Sequence, residues 1–486
     1  MSGTETRNLL LEPRWRAAEL GAPMPDSTHA ASACLPLWEH NIRYEEGDPQ
    51  VVDRLRAAYP RFCLHPLVRQ LCRQVFGAEG AGLIFPTVRC AERAAAHVRN
   101  RGGAVTELIP VAGTGATGVR VPSDDFGRLK EYWQHAGEIV SSRAAESLLS
   151  GSVAAVTETE SRRAVRGRFA RYGGCAEDVA WLFPSGMAAI ACVWRAIRRL
   201  DPQRPTVQFG FPYVDTLKIQ QRFHPQAWHF LPRGDAGDLE RLAGLLQSQS
   251  ISALFCETPT NPLLTMPDLA ALRRLADEHG FLLIVDDTLA AVINDNPLPW
   301  SDAVATSLTK YFSGQGDVLA GGLRLNQQRP TADRLRAAVE AEFEELLCDA
   351  DAEVLERNSR DVAERVQVIN RNAAELSERL SRHPAVQHVY YPPATSAGTG
   401  RGGLMSIVLR SAAERTAGVF DRLQVCKGPN LGTSFTLCCP YTILAHYTEL
   451  DDVEAVGVSR WLLRISVGTE ALEDLWGRFA AALDGV

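Results

Sequence analysis

Short apolar runs alternate with amphipathic segments between residues 180 and 312, and this alternation constrains the fold more than any other feature of the sequence. The runs "VAWLF", "ALFC" and "FLLIV" are apolar at every position, which is typical of strands buried on both faces. Segments such as "DLAALRRLADEHG" carry apolar residues at helical spacing and end at a glycine. The alternation predicts an α/β fold with a mostly parallel sheet covered by helices on both sides.

The chain of 486 residues is too long for one compact core, so more than one domain is expected. We predict an N-terminal extension or subunit-contact segment over 1–125, a large domain over 126–345 and a small α+β domain over 346–486. The first segment contains the amphipathic helix "HPLVRQLCRQVFG", with Leu67, Leu71 and Val75 at helical spacing. The last segment begins with one long helical stretch and continues into short strands and a final helix.

Composition and charge argue against several classes of function. A net charge of −7 and a pI near 5.9 give no basic footprint for nucleic acid. No apolar run is long enough to span a bilayer, and the first thirty residues lack the apolar core of a signal peptide. The eleven cysteines show no C-x-x-C or Cys/His spacing, so we predict free thiols, no metal site and a cytoplasmic location.

Polar side chains follow the apolar strands at the points where the strands end. In an open parallel sheet, ligands bind outside the carboxyl ends of the strands. These residues should therefore lie in one crevice: Ser185, Gly186, Met187, Glu257, Thr258, Thr260, Asn261, Asp286, Asp287, Thr288, Ser307, Thr309 and Lys310.

Lys310 stands out because only four of the 51 basic side chains are lysines. A lysine amine can form an imine with an aldehyde, which a guanidinium cannot. A helix start such as Ser185–Met187 suits a phosphate, and Asp286 suits a protonated ring nitrogen. The ordered set therefore favours imine chemistry with pyridoxal phosphate.

A second motif, "GTGATG" at 113–118, matches the dinucleotide fingerprint G-x-G-x-x-G letter by letter. That fingerprint needs a strand before it and a helix that opens inside it. Here the β-prone "VRVP" follows and Pro122 ends it. We interpret the motif as a hairpin or loop, and a nicotinamide oxidoreductase remains the alternative that it would support.

The segments "ETPTNP", "LLIVDDT" and "SLTKYFSGQGDVLAGG" resemble the Cys/Met-metabolism group of fold-type I pyridoxal-phosphate enzymes. The segments "YWQHAGEIVSSRAAE" and "KGPNLGTSFTLCCPYTILAHYTEL" are similar to the fungal-type cystathionine γ-synthases within that group. The resemblance covers nearly the whole chain. It implies the fold-type I architecture and pyridoxal 5′-phosphate as cofactor.

The resemblance also implies a role for individual residues. Lys310 would hold the cofactor covalently and move protons, and Tyr213 would stack on its ring and share in catalysis. The other implied cofactor contacts are Gly186, Met187, Ser307 and Thr309 at the phosphate, Asp286 at the ring nitrogen and Asn261 near the phenolic oxygen. Arg464 would bind the substrate carboxylate, with Asn430 beside it.

Family members also receive a Tyr-x-Arg pair from the neighbouring subunit. Two segments could supply the corresponding residues, namely Tyr59 with Arg61 or Ser142 with Arg143, and we favour the first pair. A homodimer or homotetramer with shared active sites is implied by the resemblance alone.

The implied reaction is γ-replacement on an activated amino acid such as an O-acyl-homoserine, with a second, nucleophilic substrate adding at Cγ. Gln315, Asp287 and Asn430 depart from the usual family residues, so the substrate can differ from the usual one. A carbon nucleophile or a sulfonium substrate in specialised metabolism stays open, as do a β- or γ-lyase and a non-catalytic regulator.

Overall fold

A computed structural model describes residues 7–57, 59, 62–78, 80–153, 155–223, 228–393 and 400–485. The N-terminal part contains helices α1 (Trp38–Glu45), α2 (Pro49–Val52), α3 (Pro66–Phe76) and α4 (Val88–Asn100) and strands β1 (Gly82–Phe85), β2 (Glu107–Pro110) and β3 (Thr117–Arg120). The three strands form an antiparallel sheet in the order β1-β3-β2.

The motif "GTGATG" forms the turn of the β2–β3 hairpin and the start of β3. Gly113 has φ +72° in this turn, a conformation that glycine adopts without strain. No helix opens inside the motif, so the interpretation as a hairpin is confirmed and the dinucleotide fingerprint lacks its required context.

The central part contains a seven-stranded sheet. Its helices are α5 (Phe126–Ala136), α6 (Ser142–Leu149), α7 (Glu160–Gly173), α8 (Gly186–Leu200), α9 (Val214–Arg222), α10 (Ala236–Ser248), α11 (Leu269–His279) and α12 (Ala332–Glu342). Its strands are β4 (Ala180–Phe183), β5 (Thr206–Phe209), β6 (Trp228–Leu231), β7 (Ala253–Glu257), β8 (Leu282–Asp286), β9 (Ala303–Thr306) and β10 (Gly321–Leu325).

The strand order in this sheet is β4-β10-β9-β8-β7-β5-β6. Strand β10 runs antiparallel to both of its neighbours, and the other strands share one direction. Every residue of β4, β5, β7, β9 and β10 is buried. The predicted mostly parallel sheet is therefore confirmed, and its carboxyl ends lie along one edge.

The C-terminal part contains a five-stranded sheet in the order β11-β12-β15-β14-β13. Its strands are β11 (Val386–Tyr390), β12 (Leu404–Leu409), β13 (Cys426–Lys427), β14 (Leu437–Pro440) and β15 (Leu463–Ser466). The helices are α13 (Asp349–Asn358), α14 (Val362–Arg382), α15 (Ala412–Arg422), α16 (Tyr441–His446), α17 (Leu450–Ala455) and α18 (Leu472–Asp484). Each of the three sheets lies inside one of the three predicted segments, whose boundaries stay predictions.

The long helical stretch predicted after residue 350 is two helices, α13 and α14. The helix breaks at Ser359, which is buried and accepts a hydrogen bond from Arg168 at 2.6 Å. Its hydroxyl also donates to the carbonyl of Glu356 at 3.2 Å. Such local bonding by serine competes with continuation of the helix.

In the part of the chain that the structure describes, no helix is both long and apolar enough to cross a membrane.

Candidate active site

A cavity lies at the carboxyl ends of β4, β5, β7, β8 and β9. The predicted residues that line it are Tyr59, Gly186, Met187, Tyr213, Asn261, Asp286, Ser307, Thr309, Lys310 and Arg464. Asn430 joins them by contacting Lys310, whereas Arg61 lies outside the described residues. The structure thus gathers side chains that are up to 405 residues apart in the sequence, from Tyr59 to Arg464.

The amine of Lys310 projects into this cavity from the loop after β9. Its Nζ donates a hydrogen bond to Asn430 Oδ1 at 2.6 Å and another to Tyr59 Oη at 3.1 Å. It also lies 4.4 Å from the centroid of the Tyr59 ring. Lys310 is buried, so the only primary amine among the described lining residues is shielded from bulk water.

Asp286 ends β8 and faces the cavity. Burial raises the pKa of its carboxyl to about 6, although hydrogen bonds from Thr288 act in the opposite direction. The backbone N–H of Thr288 donates to Asp286 Oδ1 at 2.9 Å. A buried carboxyl that lacks a cationic partner favours its neutral form, and a cationic ligand would reverse that preference.

Helix α8 begins at the wall of the cavity. Ser185 caps it by accepting a hydrogen bond from Ala188 at 3.1 Å and donating one to Gly137 at 2.8 Å. The N–H groups of Gly186 and Met187 belong to the first turn, where helix geometry provides no carbonyl partner. These groups can bind an anion together with the positive end of the helix dipole.

Gly186 and Ser307 lie against each other across this end of the cavity. A Cβ added to Gly186 would come within 2.7 Å of the Ser307 Cβ and 2.9 Å of its Cα. Contacts this short require the backbone to shift. The glycine therefore permits the close approach between the start of α8 and the loop that carries Lys310.

We expect Gly186→Ala to weaken binding of the cofactor phosphate by at least about tenfold, because the start of α8 must move away from Ser307. Fluorescence titration of the variant with pyridoxal phosphate measures this loss. Gly244→Ala is the matched control, since a Cβ there meets nothing within 4 Å. Equal affinity of Gly186→Ala and the wild type would contradict the placement.

Thr309 is part of the wall, but its hydroxyl already has backbone partners. It donates to the carbonyl of Ala320 at 3.2 Å and accepts the N–H of the same residue at 2.9 Å. In this arrangement Thr309 fixes the loop that carries Lys310, and its hydroxyl would have to rotate to donate to a phosphate. Thr288 also lies in the wall, and its hydroxyl oxygen accepts the N–H of Ser307 from this loop at 2.8 Å.

The sequence predicts Glu257 in the crevice and assigns it no contact with the cofactor. It ends β7 beside Asp286, its register partner on β8. Its Oε1 accepts the backbone N–H of Tyr213 at 2.5 Å. Burial, and secondarily Asp286, raise the pKa of Glu257 well above its usual value, and its hydrogen bond holds the Tyr213 loop.

Arg464 on β15 supplies a buried cation at the cavity wall. Its Nη2 donates to the carbonyl of Pro429 at 2.5 Å, and its Nη1 donates to Asn261 Oδ1 at 3.4 Å. The guanidinium also lies 4.6 Å from the centroid of the Tyr441 ring. Among the described residues no carboxylate lies within 4.0 Å of it, which leaves a buried positive charge suited to an anionic ligand.

Asn430 completes the group around Lys310. Its Oδ1 accepts the lysine amine, while its buried Nδ2 has no hydrogen-bond partner among the described residues. The neighbouring Pro429 carbonyl binds Arg464. A Cβ added to Gly316 would lie 3.6 Å from this Nδ2, so the unsatisfied amide donor lies close to the loop after Lys310.

Several singled-out residues lie outside the cavity. The Ser142 hydroxyl shares a hydrogen bond with His29 Nδ1 at 3.0 Å, and Arg143 donates to the Asp317 carbonyl at 2.7 Å. Neither residue of this pair lines the Lys310 cavity of its own chain. Gln315 donates to Ser434 Oγ at 3.3 Å and is not among the described lining residues.

Asp287 also points away from the cavity, although it follows Asp286 directly. It forms a fully buried ion pair with Arg324 and accepts a hydrogen bond from Thr306. The Asp287 carboxylate, which departs from the family pattern, therefore has its partners in the core of the sheet.

These residues fit pyridoxal phosphate. The start of α8 offers N–H groups to a phosphate, Asp286 offers a carboxyl with no cationic partner among the described residues, and Lys310 offers an amine in the same cavity. Tyr213 and Asn261 line the same cavity.

Comparison with known proteins gives an independent result. The family model for Cys/Met metabolism PLP-dependent enzymes matches residues 159–484. Cystathionine gamma-synthase of Neurospora crassa is 33% identical over 96% of this chain and 98% of its own length. L-2-amino-4-chloropent-4-enoate dechlorinase/desaturase of Streptantibioticus cattleyicolor is 34% identical over 95% of this chain and 98% of its own length.

Solved structures match as well. The crystal structure of cystathionine gamma synthase from Xanthomonas oryzae pv. oryzae in complex with cystathionine superposes with a TM-score of 0.60 and 26% identity. The match covers 67% of this chain and 86% of that chain. It supports the fold-type I architecture.

Proposed function

Because the chain belongs to the Cys/Met-metabolism family of pyridoxal-phosphate-dependent enzymes, we propose that it catalyses γ-replacement on an amino acid with a leaving group at Cγ. The observation that carries this proposal is one cavity that contains the Lys310 amine, the Arg464 guanidinium and the start of α8. The similarity to cystathionine gamma-synthases over nearly the full chain supports the same reaction type.

When bound, the cofactor supplies an electron sink that weakens bonds at Cα and Cβ of the amino acid. The chain's own residues hold it in place. The N–H groups of Gly186 and Met187, with Ser307 and, after rotation of its hydroxyl, Thr309, would bind the phosphate, and Asp286 would keep the ring nitrogen protonated. Asn261 would lie near the phenolic oxygen, and Tyr213 would pack on the ring.

Arg464 binds the carboxylate of the amino-acid substrate through a two-pronged contact. We place Asn430 beside it because its Oδ1 accepts the Lys310 amine and the carbonyl of its neighbour Pro429 accepts Arg464. Together they fix the direction of the Cα–H bond relative to Lys310. Holding reacting groups in one geometry contributes several kcal/mol, on the order of 7–11 in favourable cases.

Lys310 then acts as base and acid. Its amine removes a proton from Cα and takes part in proton transfer at Cβ, so that the Cγ substituent can leave and a nucleophile can add. Burial of Lys310 excludes bulk water from this point, and exclusion of water favours replacement over hydrolysis.

An O-acyl-homoserine and a thiol such as cysteine are the substrate pair that we propose first. The dechlorinase/desaturase relative is named for a chlorinated amino acid, so other γ-substituents and carbon nucleophiles belong in the same test. A homodimer or homotetramer and a cytoplasmic location remain part of the proposal.

Incubating the purified protein with a panel of γ-activated amino acids, each with and without a thiol or carbon nucleophile, tests the reaction. Mass spectrometry should detect a product in which the nucleophile replaces the γ-substituent. A keto acid and ammonia formed without any nucleophile would indicate a lyase instead. A protein that shows no visible absorption band after addition of pyridoxal phosphate would overturn the whole proposal.

A further inference from the structure

We infer that Tyr441 is a positioning residue that holds Arg464 in place for the carboxylate of the amino-acid substrate. This inference rests on the proposed function and adds a residue that is not among the described lining residues of the cavity. Tyr441 acts through Arg464 and Asn261, and it does not touch the substrate itself.

Three side chains form a closed cycle of contacts at the cavity wall. Arg464 Nη1 donates to Asn261 Oδ1 at 3.4 Å, and Asn261 Nδ2 donates to Tyr441 Oη at 3.2 Å. The cycle closes where the Arg464 guanidinium lies 4.6 Å from the centroid of the Tyr441 ring. All three side chains are buried. Each of them therefore restrains the other two.

The two partners of Asn261 fix the direction of its amide group. An amide oxygen only accepts hydrogen bonds and an amide nitrogen only donates them. Oδ1 must therefore face the guanidinium, and Nδ2 faces the Tyr441 hydroxyl oxygen. A flipped amide would bring Nδ2 against the guanidinium, so that two donors would meet. In the observed orientation, the second hydrogen of Nδ2 is the one that would be donated to the phenolic oxygen of the cofactor.

The partners of Arg464 orient the guanidinium without neutralising it. Two neutral oxygens accept from it, namely the Pro429 carbonyl and Asn261 Oδ1. The Tyr441 ring adds the attraction between an aromatic face and a cation, which grows when the pair is desolvated. A carboxylate partner within the protein would compete with the substrate for the guanidinium. These neutral groups hold Arg464 and leave its charge for the substrate carboxylate.

The pairing of β14 with β15 brings Tyr441 to this position. Cys439 is the register partner of Arg464, and Tyr441 begins α16 two residues later. Diagonal neighbours two positions apart in an antiparallel pair remain within reach of aromatic and long side chains. The Tyr441 ring also belongs to an apolar cluster whose other buried members are Phe211, Cys439, Val453, Val458 and Leu462.

Two unreactive ligands test the role of Tyr441 at the carboxylate. L-Norvaline has no leaving group at Cγ, and n-butylamine is the same molecule without its carboxylate. Both are titrated into the protein loaded with pyridoxal phosphate, and the change in the visible absorption spectrum gives each dissociation constant. Tyr441→Phe removes the acceptor of Asn261 Nδ2, so it should weaken binding of norvaline by about fivefold and leave binding of butylamine unchanged.

Tyr441→Leu removes the aromatic face as well as the hydroxyl. Binding of norvaline should then weaken by about thirtyfold, again without a change for butylamine. A general disturbance of the cofactor site would weaken both ligands. Equal weakening of both ligands in Tyr441→Phe, or an unchanged affinity of Tyr441→Phe for norvaline, would overturn the inference.

The matched control is Tyr391→Phe, because Tyr391 has the same two kinds of contact elsewhere in the chain. Its hydroxyl donates to the Gly402 carbonyl at 2.8 Å, and the Arg401 guanidinium lies 4.6 Å from the centroid of its ring. Tyr391→Phe should bind norvaline and butylamine with the affinities of the wild type.

The ligand titrations do not depend on which reaction the enzyme catalyses. If no γ-replacement is found but Tyr441→Phe loses affinity for norvaline alone, the proposed reaction fails and the role of Tyr441 stands. If no visible band forms, the proposed function fails, and the contact is tested by urea unfolding of Tyr441→Phe, Asn261→Ala and the double variant. Coupled side chains give a combined shift of the urea midpoint that differs from the sum of the single shifts. An additive shift would overturn the inference.

Discussion

Lys310→Arg should abolish γ-replacement, with kcat/KM falling by at least about 10⁴-fold. The substitution keeps the positive charge and most of the length of the side chain. A guanidinium, however, neither forms an imine with an aldehyde nor gives up its proton near neutral pH. Activity measured by mass spectrometry and absorption spectra of the loaded protein together check this expectation.

Lys130→Arg is the control, since Lys130 is exposed on α5. Its activity and spectrum should match those of the wild type. Reduction of the loaded wild type with borohydride, followed by peptide mapping, should place the cofactor on Lys310. If Lys310→Arg kept more than a tenth of the wild-type activity, the amine would not be the reacting group.

The grouping of side chains at one edge of the sheet could be predicted because each lies directly after an apolar strand. Parallel strands bring their carboxyl ends together, so the positions of Asp286 and Lys310 could be predicted without information about the rest of the chain. Their order along the sequence was enough to place them in one crevice. The structure adds the distances and the identity of the neighbours.

Proximity in the sequence did not predict which residues line the cavity where the direction of a side chain decides its role. Asp287 follows Asp286, yet it pairs with Arg324 in the core because successive residues at a strand end point to opposite sides. Gln315 lies only five positions after Lys310 and still binds Ser434 outside the cavity wall. The sequence positions of Asp287 and Gln315 alone therefore do not link either residue to a change of substrate.

Contacts over long sequence separations could not be predicted from local patterns. Tyr59 meets Lys310 across 251 positions through the packing of the N-terminal part, which no periodicity encodes. The strands β1 to β3 are only four residues long each, too short to give a clear alternating pattern. Glu257 could be recognised as a polar residue at the end of a strand. Its hydrogen bond with the backbone N–H of Tyr213, however, depends on how two loops meet.

Asp286→Asn should lower kcat by roughly 10²–10³-fold, because a neutral amide cannot stabilise the positive charge on the cofactor ring nitrogen. The substitution should also change how the affinity for pyridoxal phosphate depends on pH. The pKa of Asp286 is raised to about 6 by burial, so the carboxyl takes up a proton as the pH falls below this value and then cannot pair with a cation. Wild-type affinity for pyridoxal phosphate should therefore decrease from pH 7 to pH 5, whereas the affinity of Asp286→Asn should change much less over this range.

Fluorescence titrations at several pH values compare the two proteins, with exposed Asp333→Asn on α12 as the control that keeps the wild-type profile. Protons taken up by the cofactor phosphate affect all three proteins equally, so the difference between their profiles isolates Asp286. Parallel profiles for wild type and Asp286→Asn would mean that the carboxyl does not face the ring nitrogen. In that case Glu257, the other carboxyl of the cavity wall and the register partner of Asp286, would be the group to replace next.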